Sequence, residues 1–239
     1  RSGPGGNFKQ VGKLVAGATP DDVAFAICGG ALRRYLDMQG ELPDASLTAS
    51  VPASLQQGKG EHASFWMRVR LGTDIDDAVA RLAMIHEQTT SAKSEAIGGD
   101  LTEVARFAPA ATISITSRML SYASAQLGRF APLANCTIAH VPGPETPLYL
   151  AGARMTYYSA IMPISDGMGL VFSLTNYDDK INLSFTACYE QLPDPDVFAQ
   201  CLRDSFQEYL ALTPSGRKLL RAPAKKPRAR RKSPAKAVA

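Results

Sequence analysis

Residues 19 to 37 read TPDDVAFAICGGALRRYLD, and this stretch predicts a long helix near the start of the chain. Thr19 can cap the helix, Pro20 suits its first position, and Asp22 lies where the helix dipole favours an acid. Apolar residues recur at helical spacing along it, and charged residues gather at its carboxyl end before Gly40. We therefore expect a largely buried helix.

Alternation of apolar and polar residues after this helix predicts β-strands. The clearest are residues 47 to 55, 64 to 71 and 136 to 141, and a hairpin within residues 170 to 187. The first two flank a polar loop and are expected to pair. The hairpin is expected to turn at Asp178 and Asp179.

Three further segments have helical patterns, at residues 74 to 96, 113 to 127 and 194 to 212. The order helix, strands, helices, strands, helix indicates an α/β fold class, here an α+β mixed sheet covered by helices. We expect three parts along the chain, namely an N-terminal linker, a folded domain and a basic disordered tail, at residues 1 to 16, 17 to 213 and 214 to 239.

The composition is ordinary for a soluble globular protein, with 45% hydrophobic and 20% charged residues among 239. No apolar run approaches the roughly 20 residues of a membrane-spanning helix. Four cysteines without a C-x-x-C spacing predict reduced core residues and a cytoplasmic protein. Residues 217 to 239 hold ten Lys or Arg and no acid, which leaves a net charge of about −6 on residues 1 to 216. We expect this basic segment to be disordered.

The histidines His62, His86 and His140 are too far apart in sequence to form a local metal or catalytic pair. His86 and Glu87 begin a zinc-protease pattern, but Thr90 stands where the second histidine is required. His86 is therefore interpreted as a solvated helix residue. No serine-hydrolase or P-loop motif occurs. The residues alone predict no catalytic residue and no metal site in this chain.

Three segments, in the same order, resemble the bacterial wax ester synthase / diacylglycerol acyltransferase family. The first is residues 17 to 36, where an acidic pair opens the helix and Gly-Ala-Leu-Arg-Arg-Tyr-Leu closes it. The others are residues 135 to 154, which include Val-Pro-Gly-Pro, and residues 163 to 170 with the hairpin that follows. The resemblance implies the C-terminal half of a chloramphenicol-acetyltransferase-like, CoA-dependent acyltransferase fold.

The resemblance also implies an enzyme that moves a fatty acyl group from acyl-CoA to a long-chain alcohol or diacylglycerol, forming wax ester or triacylglycerol in a tunnel between two halves. The family's general base is the second histidine of a His-His-x-x-x-Asp-Gly motif in the N-terminal half. This chain lacks the motif: counting back from Asp166-Gly167 places Ile161 and Met162 at the two histidine positions, so the partial match offers no base. The chain alone is therefore predicted to be inactive, with that N-terminal half as its partner, acyl-CoA as cosubstrate and no further cofactor.

The same resemblance implies six candidate substrate-binding residues, which are Asp21, Asp22, His140, Asp166, Gly167 and Gly169. Asp21 stands where the family has Asn, and His140 stands where the family has Asn before Val-Pro-Gly-Pro. Each candidate has a second interpretation: the acids cap the helix, His140 is a surface or turn residue, and the glycines serve the backbone where a strand begins. If Asp21 faces the tunnel, its charge opposes negative charge on the thioester oxygen, so Asp21→Asn is predicted to raise turnover.

A hypothesis from another class is a non-catalytic binding module whose basic tail contacts an anionic membrane or nucleic acid by counterion release. Nucleic acid is the less favoured partner. For the enzyme, water-insoluble substrates predict peripheral contact with the inner membrane face or lipid bodies. Apolar side chains within residues 113 to 127 offer one surface for such contact.

Overall fold

A computed structural model of the chain describes residues 2–57, 61–95, 134–144, 146–164, 168–214 and 216. The helices within these ranges are α1 (Gly5–Gly12), α2 (Pro20–Gln39), α3 (Ala78–Glu95) and α4 (Pro195–Leu212). The strands are β1 (Ser2–Pro4), β2 (Thr48–Gln57), β3 (Glu61–Arg70), β4 (Cys136–Val141), β5 (Tyr149–Leu150), β6 (Ala153–Arg154), β7 (Leu170–Tyr177) and β8 (Lys180–Ala187).

Six of these strands form one mixed sheet in the order β1-β8-β7-β4-β2-β3, and β5 pairs with β6 in a separate ribbon. Strands β2, β4 and β7 are parallel, whereas β1, β8 and β3 pair antiparallel with their neighbours. The carboxyl ends of the three parallel strands therefore lie at one end of the sheet. The predicted mixed sheet is confirmed, and so are the paired strands after α2 and the hairpin at Asp178 and Asp179.

The long first helix begins and ends as its sequence predicts. Thr19 is the N-cap, and its side chain accepts a hydrogen bond from the backbone N–H of Asp22, while Asp22 accepts one in return from the Thr19 backbone. Gly40 closes the helix in a left-handed conformation at φ 71°. Twelve residues of α2 are buried, so the helix fills the centre of the core.

Close packing of α2 on the sheet depends on a glycine. A Cβ atom at Gly29 would overlap the backbone carbonyl of Leu71, just after β3. The core continues through an aromatic group on α2, β7, β8 and α4. Its ring centroids lie 5.0 to 6.4 Å apart, and its members are Tyr35, Phe172, Phe185 and Phe198.

The N-terminal residues differ from the predicted linker at residues 1 to 16. Strand β1 extends the sheet by pairing with β8, and α1 packs into the core through Phe8 and Val11, which are 4% and 0% exposed. These two side chains lie one turn apart on α1, and so short an apolar pattern gives a weak signal in sequence. The linker prediction is therefore wrong for this segment.

Helix α3 begins four residues later than predicted. Asp77 accepts a hydrogen bond at 2.7 Å from the backbone N–H of Ala80, so this acid caps the helix start that the sequence analysis placed at Asp74. The helix predicted at residues 113 to 127 lies outside the described residues, as does nearly all of the predicted tail at 214 to 239.

Candidate functional site

Three elements meet at the carboxyl ends of β4 and β7. His140 and Asn176 are each the next-to-last residue of their strand, and the two strands are parallel neighbours. The first turn of α2 brings Asp21 to the same place. Ligands of sheets with parallel strands commonly bind beyond the strands' carboxyl ends, where helix N-termini converge. We take this Asp21–His140–Asn176 cluster as the candidate site.

The imidazole of His140 lies between its two partners in the cluster. Its Nδ1 atom is 3.0 Å from Oδ1 of Asp21, and its Nε2 atom is 3.1 Å from the side-chain nitrogen of Asn176. Hydrogen bonding to Asp21 raises the pKa of His140 above its ordinary value; burial acts in the opposite direction, and the negative charge of Asp21 adds to the increase. The side chains of Asp21 and His140 are 38% and 34% exposed. The cluster is therefore accessible to solvent.

Asp22 has a different environment from its neighbour. The residue is 1% exposed, and its Oδ2 atom accepts a hydrogen bond from the backbone of Thr19 and lies 2.9 Å from Nδ1 of His86. Its Oδ1 atom accepts a 2.7 Å hydrogen bond from Thr89. Burial acts to raise the pKa of this carboxyl, but the hydrogen bonds outweigh it and leave the pKa lowered. These contacts fasten α2 to α3.

His86 is not the solvated residue that the sequence analysis predicts. Its side chain is 24% exposed and contacts the buried carboxylate of Asp22. On its other side, Nε2 lies 3.1 Å from the point where a Cβ atom of Gly17 would stand. Gly17 has a φ of 86°, so the loop before α2 passes the ring in a conformation that favours glycine. The prediction failed because it considered α3 without the helix packed against it.

The remaining predicted site residues do not join the cluster in the described structure. Asp166 and Gly167 lie outside the described residues. Gly169 precedes the first residue of β7, at the opposite end of the strand from Asn176. A Cβ atom there would overlap the side chain of Gln191, and the Gly169 carbonyl accepts a 2.7 Å hydrogen bond from Cys188. The overlap involves only the end of the flexible Gln191 side chain, so it does not by itself require glycine at this position.

Residues 63–209 match a family model described as the WS/DGAT C-terminal domain, where the letters stand for wax ester synthase and diacylglycerol acyltransferase. The chain belongs to the WS/DGAT family. The matched range includes His140 and Asn176 and begins after Asp21.

Two curated mycobacterial relatives of this WS/DGAT chain carry the same name, "Putative diacylglycerol O-acyltransferase". The one from Mycobacterium bovis is 35% identical over 200 residues, which are 82% of this chain and 44% of the relative. The one from Mycobacterium tuberculosis is 33% identical over 179 residues, which are 74% of this chain and 36% of the relative. This chain spans less than half the length of these two relatives.

A solved structure has the same architecture. The wax ester synthase/diacylglycerol acyltransferase from Marinobacter aquaeolei VT8 is 27% identical, with a TM-score of 0.67 over 89% of this chain and 47% of that one. Together with the family match, this likeness confirms the predicted chloramphenicol-acetyltransferase-like fold class and the resemblance to the C-terminal half of a WS/DGAT protein.

A separate cleft of about 720 Å³ lies between α1, β8 and α4. Its lining shares no residue with the cluster and is largely apolar, including Phe8, Leu183, Phe185, Phe206 and Leu210. Within the described ranges, no three His, Cys, Asp or Glu side chains are grouped closely enough to hold a metal ion. None of the helices in those ranges has both the length and the hydropathy needed to cross a membrane.

Sequence reasoning missed Asn176 of the candidate site, and it missed His86 and Thr89 as the partners of the neighbouring Asp22. Thr89 follows His86 by three residues on α3, so the two face the same side of that helix. Asn176 is a polar residue near the end of an apolar strand. Its position becomes informative only once β7 is known to run parallel to β4, because parallel pairing is what places both carboxyl ends together.

Proposed function

We propose that this chain is the C-terminal half of an O-acyltransferase that moves a fatty acyl group from acyl-CoA to a long-chain alcohol or a diacylglycerol. The products are a wax ester or a triacylglycerol, with free CoA. The observation that carries this proposal is the likeness of 89% of the chain to the Marinobacter aquaeolei wax ester synthase/diacylglycerol acyltransferase. The names of the mycobacterial relatives support the same reaction class.

In this reaction the acceptor's hydroxyl oxygen attacks the thioester carbonyl carbon. The new C–O bond forms, the C–S bond breaks, and the hydroxyl proton is taken by a base while CoA leaves and is protonated. The resemblance assigns that base to a His-His-x-x-x-Asp-Gly motif in the N-terminal half, which is the partner we propose for this chain. The contribution of this chain is a wall of the site formed by the first turn of α2 and the ends of β4 and β7.

Mass spectrometry of the products tests the reaction class. An enzyme in which this chain is joined to an N-terminal half carrying the motif is incubated with isotope-labelled acyl-CoA and either a fatty alcohol or a diacylglycerol. We expect a labelled ester with at least one acceptor, and CoA release in equal amount. CoA release without an ester product, or no reaction with either acceptor, would contradict the proposal.

We also propose peripheral contact with the inner membrane face or with lipid bodies, since both acceptors are insoluble in water. Six of the large apolar side chains that are exposed in the described ranges lie in one segment of the chain, and this grouping supports the contact. They are Leu148, Tyr149, Leu150, Tyr157, Ile161 and Ile164. The comparisons do not support the alternative of a non-catalytic binding module.

A further inference from the structure

The contacts of His140 determine which of its ring nitrogens carries a hydrogen. An ionised carboxylate only accepts hydrogen bonds, so Nδ1, which lies 3.0 Å from Oδ1 of Asp21, carries one. On the other side of the ring, the side-chain amide of Asn176 donates to Nε2 at 3.1 Å. The neutral ring therefore has its lone pair on Nε2.

Asp21 is available to hold this ring because Asp22 already serves another purpose. Both oxygens of Asp22 are occupied by groups from the loop before α2 and from α3, including His86. The Oδ1 atom of Asp21 is itself buried, although the side chain is partly exposed, so water competes weakly for it. The 3.0 Å approach of His140 Nδ1 to this atom is an ion-pair contact and not an aligned hydrogen bond. Two adjacent acids in one helical turn thus bind two different histidines.

The position of the ring is fixed from the sheet as well. His140 precedes Val141 and the Pro142–Pro144 turn, and a Cβ atom at Gly143 within that turn would overlap the backbone carbonyl of Asn176. The turn is therefore packed against the end of β7. Since α2, β4 and β7 all constrain the ring, its exposed part has a defined direction.

We infer that Asp21 and His140 form a coupled pair that binds the hydroxyl group of the acyl acceptor through Nε2 of His140. This inference rests on the proposed acyl transfer. In the bound complex the acceptor's hydroxyl donates its one hydrogen to Nε2 in place of the Asn176 amide. The hydroxyl then turns this hydrogen to the base of the N-terminal half, which removes it as the oxygen attacks the thioester. Asp21 is a positioning residue, because it does not touch the acceptor but holds the hydrogen of the neutral ring on Nδ1, which leaves the lone pair on Nε2.

The coupled pair reverses one expectation from the sequence. The sequence analysis predicts that Asp21→Asn raises turnover if the ionised Asp21 faces the tunnel. In Asp21→Asn, the new side-chain amide can accept a hydrogen bond from Nδ1–H or donate one to an Nδ1 without hydrogen. The substitution therefore lets the hydrogen of the neutral ring move from Nδ1 to Nε2. We therefore expect Asp21→Asn to weaken acceptor binding and not to accelerate the reaction.

Nitrogen NMR of the imidazole tests the pair in this chain without any activity. We expect His140 to be in the Nδ1–H form when neutral, and Asp21→Asn to lower its pKa and to populate both neutral forms. Asp74→Asn is a matched control, since it removes an acid of the exposed ion pair with Arg70 and should leave the His140 signals unchanged. A dominant Nε2–H form in the parent chain, or no response to Asp21→Asn, would overturn the pair.

Steady-state kinetics of the joined enzyme test the acceptor contact. His140→Asn keeps an amide that can reach Asp21 from the Nδ1 position but has no atom at Nε2, whereas His140→Gln can place an amide there. For loss of one hydrogen bond, we expect the KM for the alcohol to rise about tenfold in His140→Asn, with partial recovery in His140→Gln. The KM for acyl-CoA and the Tm should stay at the values of the parent and of Asp74→Asn.

Two outcomes would overturn the acceptor contact: an equal rise in both KM values, or an unchanged KM for the alcohol in His140→Asn. A parent enzyme that transfers no acyl group would instead contradict the proposed function, and the acceptor contact with it. In that event the NMR experiment still decides whether Asp21 and His140 form a pair, so the two failures are distinguishable.

Discussion

At the scale of single residues, two adjacent acids in the first turn of α2 have separate roles. Asp22 is buried and joins the helix start to α3, while Asp21 is partly exposed and contacts His140 on the sheet. Both lie where a helix dipole favours negative charge. That shared position explains why the sequence analysis treated them as one acidic pair, since only the packed neighbours distinguish them.

The buried carboxylate should make the stability of the protein depend on pH. The carboxylate of Asp22 accepts hydrogen bonds from several donors. In Asp22→Asn an NH₂ group, which can only donate, replaces one of the accepting oxygens. We therefore expect a loss of about 2 kcal/mol in the free energy of unfolding at neutral pH. The lowered folded-state pKa of Asp22 means that its stabilisation is present above the unfolded pKa and is lost as pH falls through the folded one. The deficit of the variant should therefore shrink in acid.

Urea unfolding at neutral pH and at about pH 3, where an ordinary Asp is largely protonated, measures this effect. Asp44→Asn is the control, because Asp44 is exposed and should change little at either pH. A deficit for Asp22→Asn that is the same at both pH values would show that the carboxylate charge does not stabilise the fold.

At the scale of elements, the start and end of α2 could be predicted because each signal is local. Thr19, Pro20 and Gly40 act within one or two turns, and the alternation of β7 and β8 is equally local. Helix α1 could not be predicted in this way, since its two buried side chains are explained only by α2, α4 and β8 around them. The Asp21–His140–Asn176 cluster could not be predicted from the sequence for the same reason, because its members come from three elements.

The packing of α2 against the sheet should depend on Gly29. A methyl group there overlaps the Leu71 carbonyl, which is backbone and cannot rotate away, so Gly29→Ala should cost about 1 to 3 kcal/mol in the free energy of unfolding. Gly6→Ala is the matched control, because Gly6 is also helical but has no atom within 4 Å of its added Cβ. There the higher helix propensity of alanine should leave stability equal or raise it by up to about 1 kcal/mol. Equal thermal midpoints for the two variants would refute this account of α2 packing.

At the scale of the whole molecule, the charges are divided between an acidic body and a basic C-terminal segment. We expect that removal of the residues after Thr213 weakens binding to anionic liposomes at low salt and leaves folding unchanged. Each cation near such a surface contributes about 1 kcal/mol, and salt screens this attraction. Sedimentation with liposomes at low and high salt measures it, with neutral liposomes as control. Equal binding with and without the segment would exclude it as a membrane contact.

The central claim is that this chain is one half of an acyltransferase whose chemistry needs the other half. The chain lacks the family's His-His-x-x-x-Asp-Gly motif, since Ile161 and Met162 precede Asp166-Gly167 at the spacing of the two histidines, and it covers less than half of each of the two mycobacterial relatives. The most direct test is the rate of CoA release from a fatty acyl-CoA and a fatty alcohol, for this chain, for an N-terminal half carrying the histidine motif, and for the two joined. We predict release above the blank only for the joined protein. Release by this chain alone, or none by the joined protein, would contradict the account.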